Sequence, residues 1–477
     1  MSVRQLEPAA LWHAFADLNA VPRPSKQEER VRAFVRGFGE SLGLETVEDE
    51  VGNILIRKPA TPGREDRPTV LLQGHVDMVH QKNAGTDFDF ATEGICMHVD
   101  GDWVAADGTT LGADNGIGVA AIMAVLADAG EIAHPPLEAL FTVDEETGMT
   151  GAKGLQEGFL TARYMLNLDT EDDRELTIGC AGGIDVTATG TYASEAAPAS
   201  LHGLRVTVRG LSGGHSGMQI HEGLGNANKL LTRLLLPLDG AHLSRFDGGG
   251  LRNAIPREAY AVLAVGDVET VSAQLEGAGA DIVGEYGTTD PLLEIVVEPV
   301  DAPTRVLRPR EQRQLLRVLQ ACPNGIYRMS PDVEGLVQTS NNLARVLIAE
   351  GHYEVLCLTR SSVESEKHDQ VAAIASVFEL IGAEVTTDGN YPGWTPLPSS
   401  TLLTTMRDLY RERFGEEPLV EACHAGLECG LIGEKVPGME MISFGPNITG
   451  AHSPDERVQV SSVQKFWGYF TEALGRL

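Results

Sequence analysis

Two histidines and a series of carboxylates recur at the ends of apolar runs along this chain. His75 and Asp77 follow PTVLLQG, Asp114 sits in the glycine-rich TTLGADNGIG, and Asp144, Glu145 and Glu146 follow LEALFTV. Asp169 ends RYMLNL, and His452 falls in NITGAHSPDER after MEMISFG. Each has a plainer reading when taken alone. An His-x-Asp pair is often a turn histidine with a local carboxylate partner, an aspartate ahead of a helix is a good N-cap, and neighbouring acids in a turn are usually solvated. Ligands of α/β sheets, however, lie outside the carboxyl ends of the strands, so these runs would bring two imidazoles and four or five carboxylates to one edge. Oxygen and imidazole donors without thiolates suit zinc, manganese or cobalt. A carboxylate shared by two ions suits a pair about 3.5 to 4 Å apart. The expectation is a two-metal hydrolase. Adjacent Glu145 and Glu146 fit it, since one can bind metal while the other handles protons; spacing alone does not say which.

The elements that must position these residues follow from periodicity. Ser25 with Glu28, ahead of the amphipathic EERVRAFVRGFGESLGL, reads as a capping box. Short strands GNILIRK, PTVLLQG, LEALFTV and RYMLNL alternate with helical stretches, among them Ile117 to Ala129, as in an α/β layered domain. After Gly182 and Gly183 the pattern changes to long alternating strands (DVTATGTY, HGLRVTVRG, AYAVLAVGD, LLEIVVEP, YEVLCLTR) with helices such as EQRQLLRVLQ and HDQVAAIASVFELIGA, an α+β pattern. From about Ser399 the chain returns to a helix, a Gly-rich turn HAGLECG, the strand MEMISFG and a closing helix. A second domain therefore reads as inserted into the first: residues 1–184 and 397–477 form the metal-binding domain, and 185–396 the insert. His215 lies in the insert, in LSGGHSGMQI, where flanking glycines suggest close backbone approach to a ligand.

Composition excludes several classes. The 477 residues, 42% hydrophobic and 22% charged, are globular in composition and long enough for two or three domains. A net charge of -31, from 68 acidic and 37 basic residues, repels nucleic acid. The longest nearly unbroken apolar stretch, Gly116 to Ala127, falls well short of the roughly 20 residues that cross a bilayer. The amino-terminal segment lacks the apolar core and cleavage site of a signal peptide, so a cytoplasmic protein is expected. Six scattered cysteines without a CxxC argue against both a disulfide framework and a zinc knuckle.

Read in order, LLQGHVDMV, TTLGADNGIG, FTVDEETGMTGAKGL, NLDTED with GCAGG, GGHSG, RNAIPRE, HAGLECG and SFGPNITGAHSPDE resemble the aminoacyl-histidine dipeptidases. These are cytosolic non-specific dipeptidases of the aminoacylase and carboxypeptidase-like zinc metallopeptidases. The resemblance covers nearly the whole chain. It implies an α/β di-zinc exopeptidase-like catalytic domain, a mixed sheet flanked by helices, with an inserted α+β lid. The lid holds roughly twice the strands of one small layer and is expected to be two-lobed, with His215 and Asn253 in the first lobe and Asn342 and Arg360 in the second. By the resemblance His75 and Asp169 hold one zinc, Glu146 and His452 the other, Asp114 bridges both, Asp77 orients His75, and Glu145 is the general base. Cobalt or manganese could replace zinc. A cis peptide is implied after Asp114. His215 would polarise the substrate carbonyl, Asn253 and Asn342 would supply polar contacts, Arg360 would grip the peptide carboxylate, and the Gly426 segment, on the catalytic domain, would offer backbone groups nearby. His80, where relatives carry proline, reads as a surface loop residue. The implied reaction is hydrolysis of small peptides, Xaa-His and broader dipeptides, with an aminoacylase, tripeptidase or carboxypeptidase activity on the same scaffold as the alternative. Whether the chain forms a homodimer is left open by the resemblance.

Overall fold

The computed structural model describes residues 2–477, which form two compact units. The first contains the chain up to Gly179 with Pro396–Ala422 and Leu427–Leu477; the second contains Cys180–Thr395 and Cys423–Gly426. The tetrapeptide Cys423–Gly426 joins the second unit because Ala181 donates its amide to the carbonyls of Cys423 and Ala425 at 3.0 Å each.

An eight-stranded mixed sheet forms the first unit, in the order Glu45–Glu48, Ile54–Lys58, Leu137–Thr142, Val70–His75, Tyr164–Asn167, Glu440–Ser443, Glu175–Cys180, Leu419–Cys423. Its four middle strands, Leu137–Thr142 to Glu440–Ser443, are parallel, and antiparallel strands flank them. Every residue of Val70–His75 and Leu137–Thr142 is buried, as expected of parallel strands covered on both faces. Helix Ala113–Ala127 is buried continuously from Asn115 to Leu126, consistent with its all-round apolar sequence. Helix Glu29–Ser41 forms where its amphipathic pattern lies, but the capping box does not. Glu28 is the N-cap, and the Ser25 hydroxyl instead donates to Asp77 Oδ2 at 2.8 Å.

In the second unit the alternating strands form one sheet, in the order Glu294–Val300, His202–Arg209, Ala259–Val265, Ala241–Gly249, Val337–Ala349, His352–Ser361, Gly182–Thr191, Glu384–Tyr391, with Gly325–Met329 on the side of Val337–Ala349. The expected two lobes are thus halves of a continuous sheet, joined where Phe246 to Gly249 pair with Ile348 to Arg345. Helices Ala227–Leu235, Val268–Tyr286, Pro309–Ala321 and Glu364–Glu379 bury Leu231, Leu275, Leu319 and Phe378 in one shared core with the strands. Among the described residues no helix is long and apolar enough to cross a membrane, and none of the six cysteines is joined in a disulfide.

Candidate metal centre

The parallel strands deliver their carboxyl ends to one place. His75 closes its strand; Asp77 lies just beyond it; Glu145 and Glu146 follow the strand ending at Thr142; and Asp169 follows the one ending at Asn167. His452 comes from the loop after Glu440–Ser443 and adopts a left-handed φ of 63°. Asp114 opens helix Ala113–Ala127 with non-helical backbone (φ -81°, ψ 110°), and its peptide bond to Asn115 is cis.

Their side chains converge. His75 Nε2 lies 3.1 Å from Asp114 Oδ1 and 3.5 Å from Asp169 Oδ1. His452 Nε2 lies 3.2 Å from Asp114 Oδ2 and 3.1 Å from Glu146 Oε2. Two triads, His75–Asp114–Asp169 and Asp114–Glu146–His452, therefore share Asp114, and each brings its ligand atoms within 4.8 Å of one another. These atoms all carry lone pairs, so such convergence needs protons or cations between them. Glu146 Oε1 is also buried without a hydrogen-bond partner among the described residues. The donor set, two imidazoles and three carboxylates without a thiolate, fits two divalent ions.

Asp77 does two things at once. Its Oδ1 lies 3.3 Å from His75 Nδ1, while the amides of Glu145 and Glu146 donate to its two oxygens at 3.1 and 3.3 Å. One buried carboxylate thus lies against the His75 imidazole and holds the backbone of the glutamate pair. Ser25 adds a third donor, so the serine that mimics a cap in the sequence belongs to this support. Glu28, Asp77 and Asp144 form a further buried carboxylate group, with neighbouring donors from Ser25, Lys26, Thr147 and Thr150.

The electrostatics follow from burial and proximity. Burial raises the Asp169 carboxyl to about 7, against the pull of His75 and with help from Asp114 and Glu146. Burial, followed by the charges of Asp169, Glu428 and Glu146, carries Glu145 well above the ordinary glutamate range. Burial would raise Asp114 too, but hydrogen bonds from His452 and His75 bring it down. His452, bonded to Asp114 and Glu146, is pushed up to about 11. His75 also rises, because the surrounding carboxylates outweigh its burial.

Three supporting residues escape the sequence reading. Glu456 accepts four backbone N–H groups: Leu111 and Gly112 at 2.8 and 2.9 Å on Oε2, Ala113 and Asp114 at 2.7 and 3.2 Å on Oε1. From the other side, fully buried Arg23 donates to the carbonyls of Val76 and Asp77 at 3.1 and 3.0 Å and also to that of Gly112. Gly112 needs its φ of 69° and its missing side chain there, since a Cβ would fall 2.5 Å from Arg23 Nη2. Buried Glu428 bonds Gln73 and Thr142 at 2.7 and 2.6 Å under the strand ends, and burial raises it to about 7. The HSPDE string contained Glu456 and HAGLECG contained Glu428, but neither string reveals the distant groups they bind.

The remaining candidates lie in the second unit. His215, on the short strand Gly214–His215, accepts the amides of Gly217 and Met218 on Nδ1, each at 3.1 Å. That pattern leaves the proton on Nε2 as a free donor. Burial and the charge of Arg360 lower its pKa, so it is neutral at pH 7. Exposed Asn253 offers its carbonyl to Ser216 at 2.8 Å. Asn342 differs from its expected role: it is buried, and its Nδ2 donates to the carbonyls of Arg252 and Ala254 at 2.9 and 2.8 Å. It shapes the loop of Asn253 instead of presenting its own amide. Arg360 is 4% exposed with no carboxylate in ion-pair range among the described residues, and its Nε is buried without a hydrogen-bond partner. Gly426 belongs to this unit rather than to the metal-binding one, and a Cβ there would meet the Tyr391 ring at 2.9 Å. Exposed His80 rests edge-on against Phe90, with ring centroids 5.9 Å apart.

The chain is 44% identical to the cytosol non-specific dipeptidase of Escherichia coli strain K12 over 476 residues, 98% of each protein. It superposes on the crystal structure of aminoacylhistidine dipeptidase from Vibrio alginolyticus with a TM-score of 0.96 at 42% identity, covering 100% of this chain and 98% of that one. Aminopeptidase PepT from Bacillus cereus shares the fold at 18% identity, with a TM-score of 0.58 over 98% of both chains. Residues 71–476 match the model of peptidase family M20/M25/M40, and with the site at its strand ends this chain belongs to that family.

Proposed function

We propose that this protein is a metal-dependent dipeptidase that takes Xaa-His and a broader range of dipeptides. The carrying observation is the pair of triads that share Asp114, with Glu145 beside them. In this reading His75 and Asp169 would hold one divalent ion and Glu146 and His452 the other, and Asp114, with one oxygen near each histidine, would serve both; zinc is the first candidate, with cobalt and manganese as substitutes. Bound there, the ions supply Lewis acidity and make water a competent nucleophile near neutral pH.

The chain's own groups do the rest. Glu145, tied by its amide to Asp77, accepts the proton of the attacking water and later delivers it to the leaving amine. Burial raises its pKa above the ordinary glutamate range, which makes it a stronger base for the water proton. His215, neutral with Nε2–H as donor, bonds the developing oxyanion. Arg360, a buried cation lacking an internal counter-charge, receives the substrate carboxylate in paired hydrogen bonds. Asn253 adds a polar contact. The two dipeptidases this chain is similar to, one of them named for the cytosol, support the substrate class and a cytoplasmic place of action.

The test is a panel of dipeptides with matched N-acetylated dipeptides, run before and after chelation and after return of zinc, cobalt or manganese. Hydrolysis of free dipeptides, lost on chelation and restored by metal, is the expected result. Full activity in metal-free protein refutes the metal dependence, and equal use of N-acetylated substrates refutes the dipeptidase reading in favour of an aminoacylase.

A further inference from the structure

Arg360 is held in place by a row of residues running across four strands of the second unit. Ser340 opposes Arg360, Arg360 opposes Gly183, and Gly183 opposes Tyr391 in the antiparallel register. Directly opposed residues share one face of a sheet, so all four side-chain positions project together. Arg360 and Tyr391 are two strands apart, about 10 Å between backbones. They nevertheless meet, the guanidinium Nη1 donating to the Tyr391 hydroxyl at 2.8 Å.

The contact exists because the intervening position has no side chain. A Cβ on Gly183 would lie 2.6 Å from Cε1, Cζ and the hydroxyl oxygen of Tyr391. On its other side the ring meets Gly426, as described above. The backbone at Tyr391 is fixed as well: buried Lys367 donates to its carbonyl at 2.7 Å and to Glu364 at 2.9 Å, and Glu364 accepts the amide of Gly393 at 2.9 Å.

The other end of the row keeps the charge of Arg360 undiluted. Ser340 Oγ lies 2.8 Å from His424 Nε2. Burial, then the charges of Arg360 and His215, push His424 down to about 3, so its imidazole is neutral. Asp185, two residues along from Gly183, is occupied at 3.2 Å by Arg252 Nε. Arg360 therefore has a neutral hydroxyl holding one nitrogen and no anion of its own.

We propose that Tyr391 is a positioning residue that sets selectivity for a free carboxylate, by fixing the guanidinium of Arg360 from across Gly183. The inference rests on the reading of Arg360 as the carboxylate-binding group. A bidentate grip depends on the orientation of the guanidinium plane, and the hydroxyl holds that plane at one corner while the other N–H groups remain for the ligand.

The test uses the metal-loaded full-length chain with Tyr391→Phe and Gly183→Ala, assayed on alanyl-histidine and on its C-terminal amide. Tyr391→Phe keeps the ring and removes one hydrogen bond to a charged group. It should raise KM for the free dipeptide about tenfold, leave kcat within about twofold, and leave kcat/KM for the amide unchanged. Gly183→Ala, which drives the ring off its seat, should reproduce the selective loss; if it fails to fold, Tyr391→Phe alone decides. Metal content should equal that of the wild type in both. Equal losses on both substrates, an unchanged KM, or a loss confined to kcat overturns the positioning role. Arg360→Met separates the two levels of the argument. If it abolishes the preference for the free carboxylate while Tyr391→Phe retains it, only the role of Tyr391 fails. If the wild type shows no such preference, the Arg360 reading fails and this inference with it.

Discussion

Glu456→Gln tests the way the shared carboxylate is held. The glutamate accepts four amides, two on each oxygen, from the segment Leu111 to Asp114. A glutamine offers one oxygen and one NH2, so whichever way it turns, two N–H groups face a donor. Each buried donor left unpaired costs about 1 to 3 kcal/mol, which gives about 2 to 6 kcal/mol for the substitution. That is a large share of a typical fold's roughly 5 to 15 kcal/mol. The damage falls on the segment that ends in Asp114, which has one carboxylate oxygen near each histidine, so both metal positions should weaken together. Loss of an outer support of a metal ligand typically lowers affinity about 10- to 100-fold. Equilibrium competition against a chelating indicator, with thermal unfolding of the metal-free protein alongside, measures both effects. A variant that binds two ions with wild-type affinity and unfolds at the wild-type temperature refutes the argument. Weakening of one site only would show that Asp114 is not shared.

Glu145→Gln should retain both metals and lose turnover by about 10²- to 10⁴-fold, whereas Glu146→Ala should lose one ion; near-normal turnover in the first removes Glu145 as the base. His215→Ala should lower kcat about 10²- to 10³-fold with little change in KM or metal content, and a normal kcat in folded, metal-replete protein removes the oxyanion role. Because hydrogen bonds to Asp114 and Glu146 raise His452 to about 11, the metal-free protein holds that proton at pH 7, where Asp169, raised by burial to about 7, is also partly protonated. Metal loading there should release at least about one proton per chain, read with an indicator dye in weak buffer; no release contradicts the assignment. The sign for stability follows: the His452 contribution to the metal-free fold is complete below the unfolded imidazole value of about 6.5 and disappears as pH rises through about 11. Metal affinity should therefore climb with pH, since the ion displaces that proton.

What could be read from the sequence was whatever local chemistry announces. Apolar runs leading to His75, to the Glu145–Glu146 pair or to Asp169 identify both the strand and the candidate ligands, because buried parallel strands are continuous hydrophobic segments and their ends are where polar side chains emerge. Residues whose work lies in holding distant backbone stay hidden. Glu456 sits four residues past His452, yet its partners are more than 340 residues earlier, and nothing in HSPDE specifies four amides in a row. Ser25 shows the same effect as an error: the local rule for a helix cap is satisfied in sequence, but Asp77, 52 residues away, competes for the hydroxyl and wins. Tyr391 is hidden more deeply. Its meeting with Arg360 depends on two registers and on the glycine between them, and alternation of side chains along a strand carries no information about which strand lies beside it. Alternation revealed the strands of the insert but not that Gly182–Thr191 runs between His352–Ser361 and Glu384–Tyr391. Ligand atoms can thus be proposed from residue type and place, whereas the groups that set their angle, charge and selectivity emerge only when the chain's long-range pairings are known.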